Sequence, residues 1–150
     1  MIAHAPGQET SRDRAAALSL MTAAPAERIK AAAEHLLPLL GAVEVLVNRT
    51  GLVMLPYRDT ARGTSFFLGE VLMAEAHIRC PDHDVEGYAM VVGRDLEQAM
   101  AVAVLDAIGA AGLAAAQFNV LLRALEAEQA AADEALRRDI EATRVQMETF

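Results

Sequence analysis

"GYAMVVGRDLEQAM" (Gly87–Met100) begins as a strand and ends as a helix. The short apolar run up to Val92 suits a strand, while the residues from Leu96 onward extend into a long apolar helical run. Between the halves stands a tight turn, Gly93-Arg94-Asp95. A helix N-terminus leaves its first N–H groups unpaired and favours an anion, so a glycine and an arginine there raise the question of a phosphate site. The residues answer against it. Asp95 occupies the N-cap position and Gln98 follows three residues later, the capping-box spacing. The Asp95 carboxylate takes the free N–H groups and repels a second anion. A phosphate loop also needs several glycines and a Lys-Ser/Thr pair, which this turn lacks. Gly93, Arg94, Asp95 and Gln98 are read as a capped joint.

Working outward from the joint gives the rest of the chain. Residues 1–10 read as a disordered leader, and residues 11–150 as a single domain. One helix is predicted from Ser11 to Ala23 and a second from Pro25 to about Leu37, stopped by Pro38 and Gly41. "VEVLVN" (Val43–Asn48) is a strand, Thr50-Gly51 a turn, and "LVMLPY" (Leu52–Tyr57) a second strand whose Pro56 suits a sheet edge. "FFLGEVLMAEAHIRC" (Phe66–Cys80) is a long third strand, with Gly69 as a candidate bulge. "EGYAMVVG" is the fourth. Strands that follow one another without intervening helices form an antiparallel meander. After the joint come a helix from Leu96 to about Ala110, the "GAAGL" break, and a final helix from Ala114 to about Thr149. The fold class is therefore α+β: a four-stranded antiparallel sheet flanked by N-terminal helices and two C-terminal helices, the last one long.

The chain has 150 residues and a formal charge of −8. That balance argues against nucleic acid or an anionic membrane as a partner. Its single cysteine, Cys80, excludes an internal disulfide framework and suits a cytoplasmic location, and no apolar signal segment opens the chain. The apolar run Ala99–Ala116 is long enough to cross a bilayer, but it is rich in alanine and glycine and carries Asp106 at its middle. A buried soluble helix is the better reading.

The closing helix carries an apolar seam (Phe118, Leu122, Leu125, Ala132, Leu136, Ile140, Met147) opposite a charged face. At ~1.5 Å per residue its length exceeds what a small domain covers, so part of it overhangs and needs a partner, or folds back on the sheet. His77, Cys80 and His83 are metal-ligating types at three-residue spacing. His77 and Cys80, however, have opposite strand parity and face opposite sides of the sheet, so no metal site is expected. Arg58 and Arg62, in the loop between the second and third strands, are weak anion-binding candidates. No catalytic constellation is visible.

"TGLVMLPYRDTARGTSFFLGEVLMAEAHIR", followed by "GYAMVVGRDLEQAMAVAVLDA" and the closing "LEAEQAAADEALRRDIEATRVQMETF", resembles the PhnG family of the bacterial carbon–phosphorus lyase system. The likeness spans nearly the whole chain after residue 12. It departs at Ala16, near where the family usually has tryptophan, and after "ATRV". The resemblance implies an accessory subunit in organophosphonate catabolism. In that setting a PhnI-like subunit, working with PhnG-, PhnH- and PhnL-like proteins, transfers a phosphonate onto the ribose of ATP and releases adenine. PhnG-, PhnH-, PhnI- and PhnJ-like subunits form a core complex. The PhnJ-like partner later uses an iron–sulfur cluster and S-adenosylmethionine, so this chain is expected to bind no cofactor and to hold no catalytic residue. Partner-contact candidates are Phe66, Phe67, Gly69, Glu70, Tyr88, Leu136, Ile140 and Arg144. The alternatives are a free-standing small-molecule or metal-binding domain, or a helix-mediated homodimer.

Overall fold

The structure is a computed structural model and describes residues 6–144. Helix α1 (Pro6–Ala23) begins at Pro6, so it takes in residues 6–10 of the expected leader. It is followed by α2 (Ala26–Leu36), with Pro25 at its N-cap, and by a 3-10 turn at Leu37–Leu40. Strands β1 (Glu44–Arg58), β2 (Ser65–Cys80) and β3 (Val85–Val92) come next, and helices α3 (Leu96–Ala110) and α4 (Ala115–Ala142) close the described chain. α4 ends at Ala142 with Thr143 at its C-cap, short of the predicted end near Thr149, and Met147 lies outside the described residues.

The sheet has three strands, in order β1-β2-β3 and antiparallel throughout, and not four. The spans expected as two strands on either side of Thr50-Gly51 are one strand of 15 residues. A two-residue hairpin turn needs positive φ at its centre, and Gly51 is not among the positive-φ glycines. The 16-residue β2 offers partners to both halves, pairing Thr50 with Ala74, Gly51 with Met73 and Leu52 with Leu72. The ladder therefore runs straight through. The irregularity foreseen at Gly69 is real: Leu55 pairs with Gly69 and Pro56 with Phe67, leaving Leu68 as the extra residue of a bulge.

The core lies on one face of the β2–β3 half of the sheet. Ala74, Ala76, Ile78 and Cys80 from β2, with Ala89 and Val91 from β3, point inward against α3. α3 is buried on nearly every side, from Ala99 through Ile108, by β3, β2, α1 and α2. This is why the Ala99–Ala116 run resembles a membrane span: small residues allow close approach all round. Gly87 shows how close, since a Cβ there would run into the Ala103 carbonyl. No helix among the described residues is long and apolar enough to cross a membrane.

Among the described residues, Asp106 is the one buried charged residue of the core, at 3% exposure. It accepts from Arg14 Nε at 2.8 Å and Nη2 at 2.6 Å, and from the Tyr88 backbone N–H at 2.9 Å. Arg14 Nη2 also donates to the Glu86 carbonyl at 3.1 Å. The pair thereby satisfies main-chain groups on the outer edge of β3, closing it to a further strand. β1 is the other edge and pairs with no further strand among the described residues.

Candidate docking surface

β3 pairs only with residues 73–80 of β2. Residues 65–72 therefore pair with β1 alone, and the two strands continue as a ribbon for about 25 Å at ~3.3 Å per residue. Among the described residues, nothing covers either face of this arm. Leu52 is 63%, Phe67 61% and Leu68 64% exposed, and Val53, Met54, Leu55, Tyr57 and Phe66 are exposed beside them. β-branched and aromatic residues hold the ribbon together across its strands, as in the edge-to-face pair Tyr57–Phe66 with ring centroids 5.4 Å apart. A two-stranded ribbon is marginal in water, and an apolar one of this extent marks an interaction surface.

The second uncovered surface is on α4. Its first half packs on the domain: Leu125 is buried, and Phe118, Leu121 and Leu122 lie against the core. From residue 126 every position through 142 is exposed, including Leu136 at 58% and Ile140 at 60%. The predicted seam thus divides. Its early residues close the core against α1 and α3, and Ala132, Leu136 and Ile140 project along a free rod. Glu134 sits 3.9 Å from both Arg137 and Arg138, and Arg144 sits 3.3 Å from Glu141. These surface pairs support the helix by a few tenths of a kcal/mol each.

The other expected sites resolve as structural features. At the joint, Gly93 has φ 105° and Asp95 Oδ1 accepts from the Gln98 N–H at 2.9 Å, so the cap forms. The Gln98 side chain does not complete the box. It reaches the Ala24 carbonyl at 3.4 Å and ties α3 to the α1–α2 turn. Lys30 lies 3.0 Å from the Asp95 carboxylate. The Gln98 N–H, then Lys30, hold Asp95 below the usual carboxylate range. Among the metal-ligating types, His77 meets Glu86 at 2.9 Å, His83 meets the Leu39 carbonyl at 3.1 Å, and Cys80 points into the core. Burial raises the Cys80 thiol. On the outer sheet face Tyr88 donates to Glu75 at 3.0 Å, and Arg49 reaches the same carboxylate at 2.8 Å. Arg49 first, then Tyr88, lower Glu75. Tyr88 is thus part of a polar lattice that orders this face.

Residues 12–150 match the family described as "Phosphonate metabolism protein PhnG". The chain belongs to the PhnG family. No curated protein matches it.

The stretches that carry the PhnG likeness now have positions. Thr50-Gly51-Leu52-Val53 lies where β1 enters the arm, paired with Ala74 to Val71 of β2, and Phe66-Phe67-Leu68-Gly69-Glu70 lies further out on β2, opposite Met54 to Tyr57 of β1. Gly87-Tyr88 lies where α3 presses closest on β3, and Gly93-Arg94-Asp95 is the capped joint. Phe66, Phe67, Gly69 and Glu70 are all exposed on the arm, Tyr88 stands on the outer sheet face, and Leu136, Ile140 and Arg144 lie on the free end of α4 or just past it. These are two separate surfaces rather than one. The sequence reading missed the β1 side of the arm (Leu52 to Leu55) and the Arg14–Asp106 pair. An unbroken apolar strand on both faces was the signal for the first, and the lone acid in an apolar helix for the second.

Proposed function

We propose that this chain is a non-catalytic subunit of a carbon–phosphorus lyase core complex in the cytoplasm. In it the chain supports a PhnI-like subunit that transfers a phosphonate onto the ribose of ATP and releases adenine. Membership of a phosphonate-metabolism family supports the pathway. The observation that carries the subunit reading is the arm, a ribbon apolar on both faces with nothing among the described residues over it. Such a surface is stable in water only when a partner takes it up. PhnI-, PhnH- and PhnJ-like subunits are the partners this reading assigns, with a PhnL-like protein acting alongside. The cluster chemistry belongs to the PhnJ-like subunit, because a cluster needs several thiolates and this chain has only Cys80.

The test is co-expression with and without a PhnI-like subunit, followed by size-exclusion chromatography and assay of adenine release from ATP plus methylphosphonate. The expected result is a stable complex whose activity depends on both chains. A PhnI-like subunit that is fully active alone and never co-elutes with this chain would overturn the reading.

A further inference from the structure

The arm ends in a loop whose geometry is set by its own hydrogen bonds. The Asp59 N–H donates to the Thr64 carbonyl and the Gly63 N–H to the Asp59 carbonyl, both at 2.9 Å. The Asp59 carboxylate accepts from the N–H groups of Ala61 and Arg62, each at 3.0 Å. Arg58 donates from Nε to the Gly63 carbonyl at 3.0 Å, which lays its guanidinium beside Gly63, close to where a Cβ would stand. The bond through Nε fixes the plane of the fork. It leaves Nη1 and Nη2 without a hydrogen-bond partner among the described residues. Neither Arg58 nor Arg62 has an ion pair there, whereas Arg14, Arg28, Arg49 and Arg79 each do. Among the described residues Arg94 and Arg123 are also unpaired, but singly; the tip places two such cations together at the end of the β1–β2 ribbon of an acidic chain.

The position of the loop gives this pair its meaning. If the apolar stem is taken up by a partner, the tip is carried with it out of bulk water. A guanidinium in such a place is costly unless an anion meets it. Two planar forks match phosphate oxygens, which they bind in bidentate fashion. We propose that Arg58 and Arg62 bind the phosphate chain of the nucleotide substrate at a site completed only when the arm is docked. This rests on the subunit reading above. Under it the substrate is a nucleoside triphosphate whose anomeric carbon reacts while its phosphates must be held. Asp59, turned into the backbone of its own loop, leaves the tip with net positive charge.

The experiment uses the reconstituted complex with Arg58→Gln, Arg62→Gln, the double variant, and the double lysine variant. The double glutamine variant is expected to assemble normally and to raise KM for ATP by about tenfold or more, with a smaller change in kcat. It should also lose the preference for ATP over AMP as the purine donor or inhibitor. The lysine variant should recover part of the affinity, because charge is restored but not the fork. An assembled double variant with wild-type KM for ATP overturns the proposal. So does loss of assembly with ATP kinetics intact in the residual complex, which would mean that the arginines meet carboxylates of the partner. A wild-type complex that neither assembles nor turns over sinks the subunit reading itself, which separates the two failures.

Discussion

At the residue scale, Asp106 and Asp95 show two uses of a carboxylate. Asp106 is buried with three donors around it, one of them a main-chain N–H of β3. Asp106→Ala leaves that N–H and the Arg14 fork without an acceptor, and is expected to cost on the order of 3 kcal/mol in urea unfolding. Arg14→Ala should cost less, because Arg14 is half exposed and Asp106 keeps the Tyr88 N–H. Asp95 was legible from four residues of sequence, because a cap is a local device. The Arg14 partner of Asp106 was not, because the two are 92 residues apart and only the packing of α1 on α3 brings them together. Asp95 also sets a pH dependence. Its folded carboxyl is held below the ordinary value near ~4, so the stability it lends is present above that value and lost as pH falls through its folded pKa. Asp95→Asn should melt below wild type at pH ~7, and the gap should narrow toward pH ~3 in a melting series. A gap that stays constant or widens on acidification would contradict the cap.

At the scale of elements, the α+β class and the four described α-helices could be read from apolar runs and Pro/Gly stops, short of the first turns of α1, and the strand count could not. Thr50-Gly51 looks like a turn because glycine and threonine are weak punctuators, and local sequence does not reveal a 16-residue partner strand waiting alongside. The structure makes this testable. Gly51 has open space where a Cβ would go, and a backbone that any residue adopts. A strand-interior glycine costs roughly 0.5–1 kcal/mol of stability, so Gly51→Thr should hold or raise Tm. A true turn would instead be broken by it. The two docking elements have their own test. Phe67→Asp on the arm, and Leu136→Asp or Ile140→Asp on α4, touch no core residue, so circular dichroism and melting of the isolated chain should barely change. Each should weaken capture of the PhnI-like partner by upwards of about 1–2 kcal/mol in a titration, if its surface is an anchor. Glu134→Gln, on the wet side, is the control. If only the arm variants weaken capture, α4 is not a docking element.

At the scale of the whole molecule, the protein is stable at one end and unfinished at the other. The small-residue packing of α3 on β2 and β3 and the closed β3 edge make a core that stands alone. The arm is held by its own two-stranded ladder, and it and residues 126–142 are exposed almost throughout, the signature of low local stability. This difference was only half visible in the sequence. An overhanging α4 follows from its length, but the arm became visible only once two predicted strands proved to be one. Amide hydrogen exchange on the isolated chain should therefore divide it. Residues 74–80, 87–91 and 99–108 should exchange slowly, near the global unfolding rate, while 52–58, 65–70 and 126–142 exchange quickly. On assembly with the PhnI-like subunit the arm should gain protection while the core hardly changes, because the core is already complete. Binding should also show a negative heat-capacity change, the mark of apolar burial. An arm that is already slow to exchange in the isolated chain would mean that it is covered in solution by a second copy. Equilibrium sedimentation would then show a dimer that dissociates when Phe67 is replaced by aspartate.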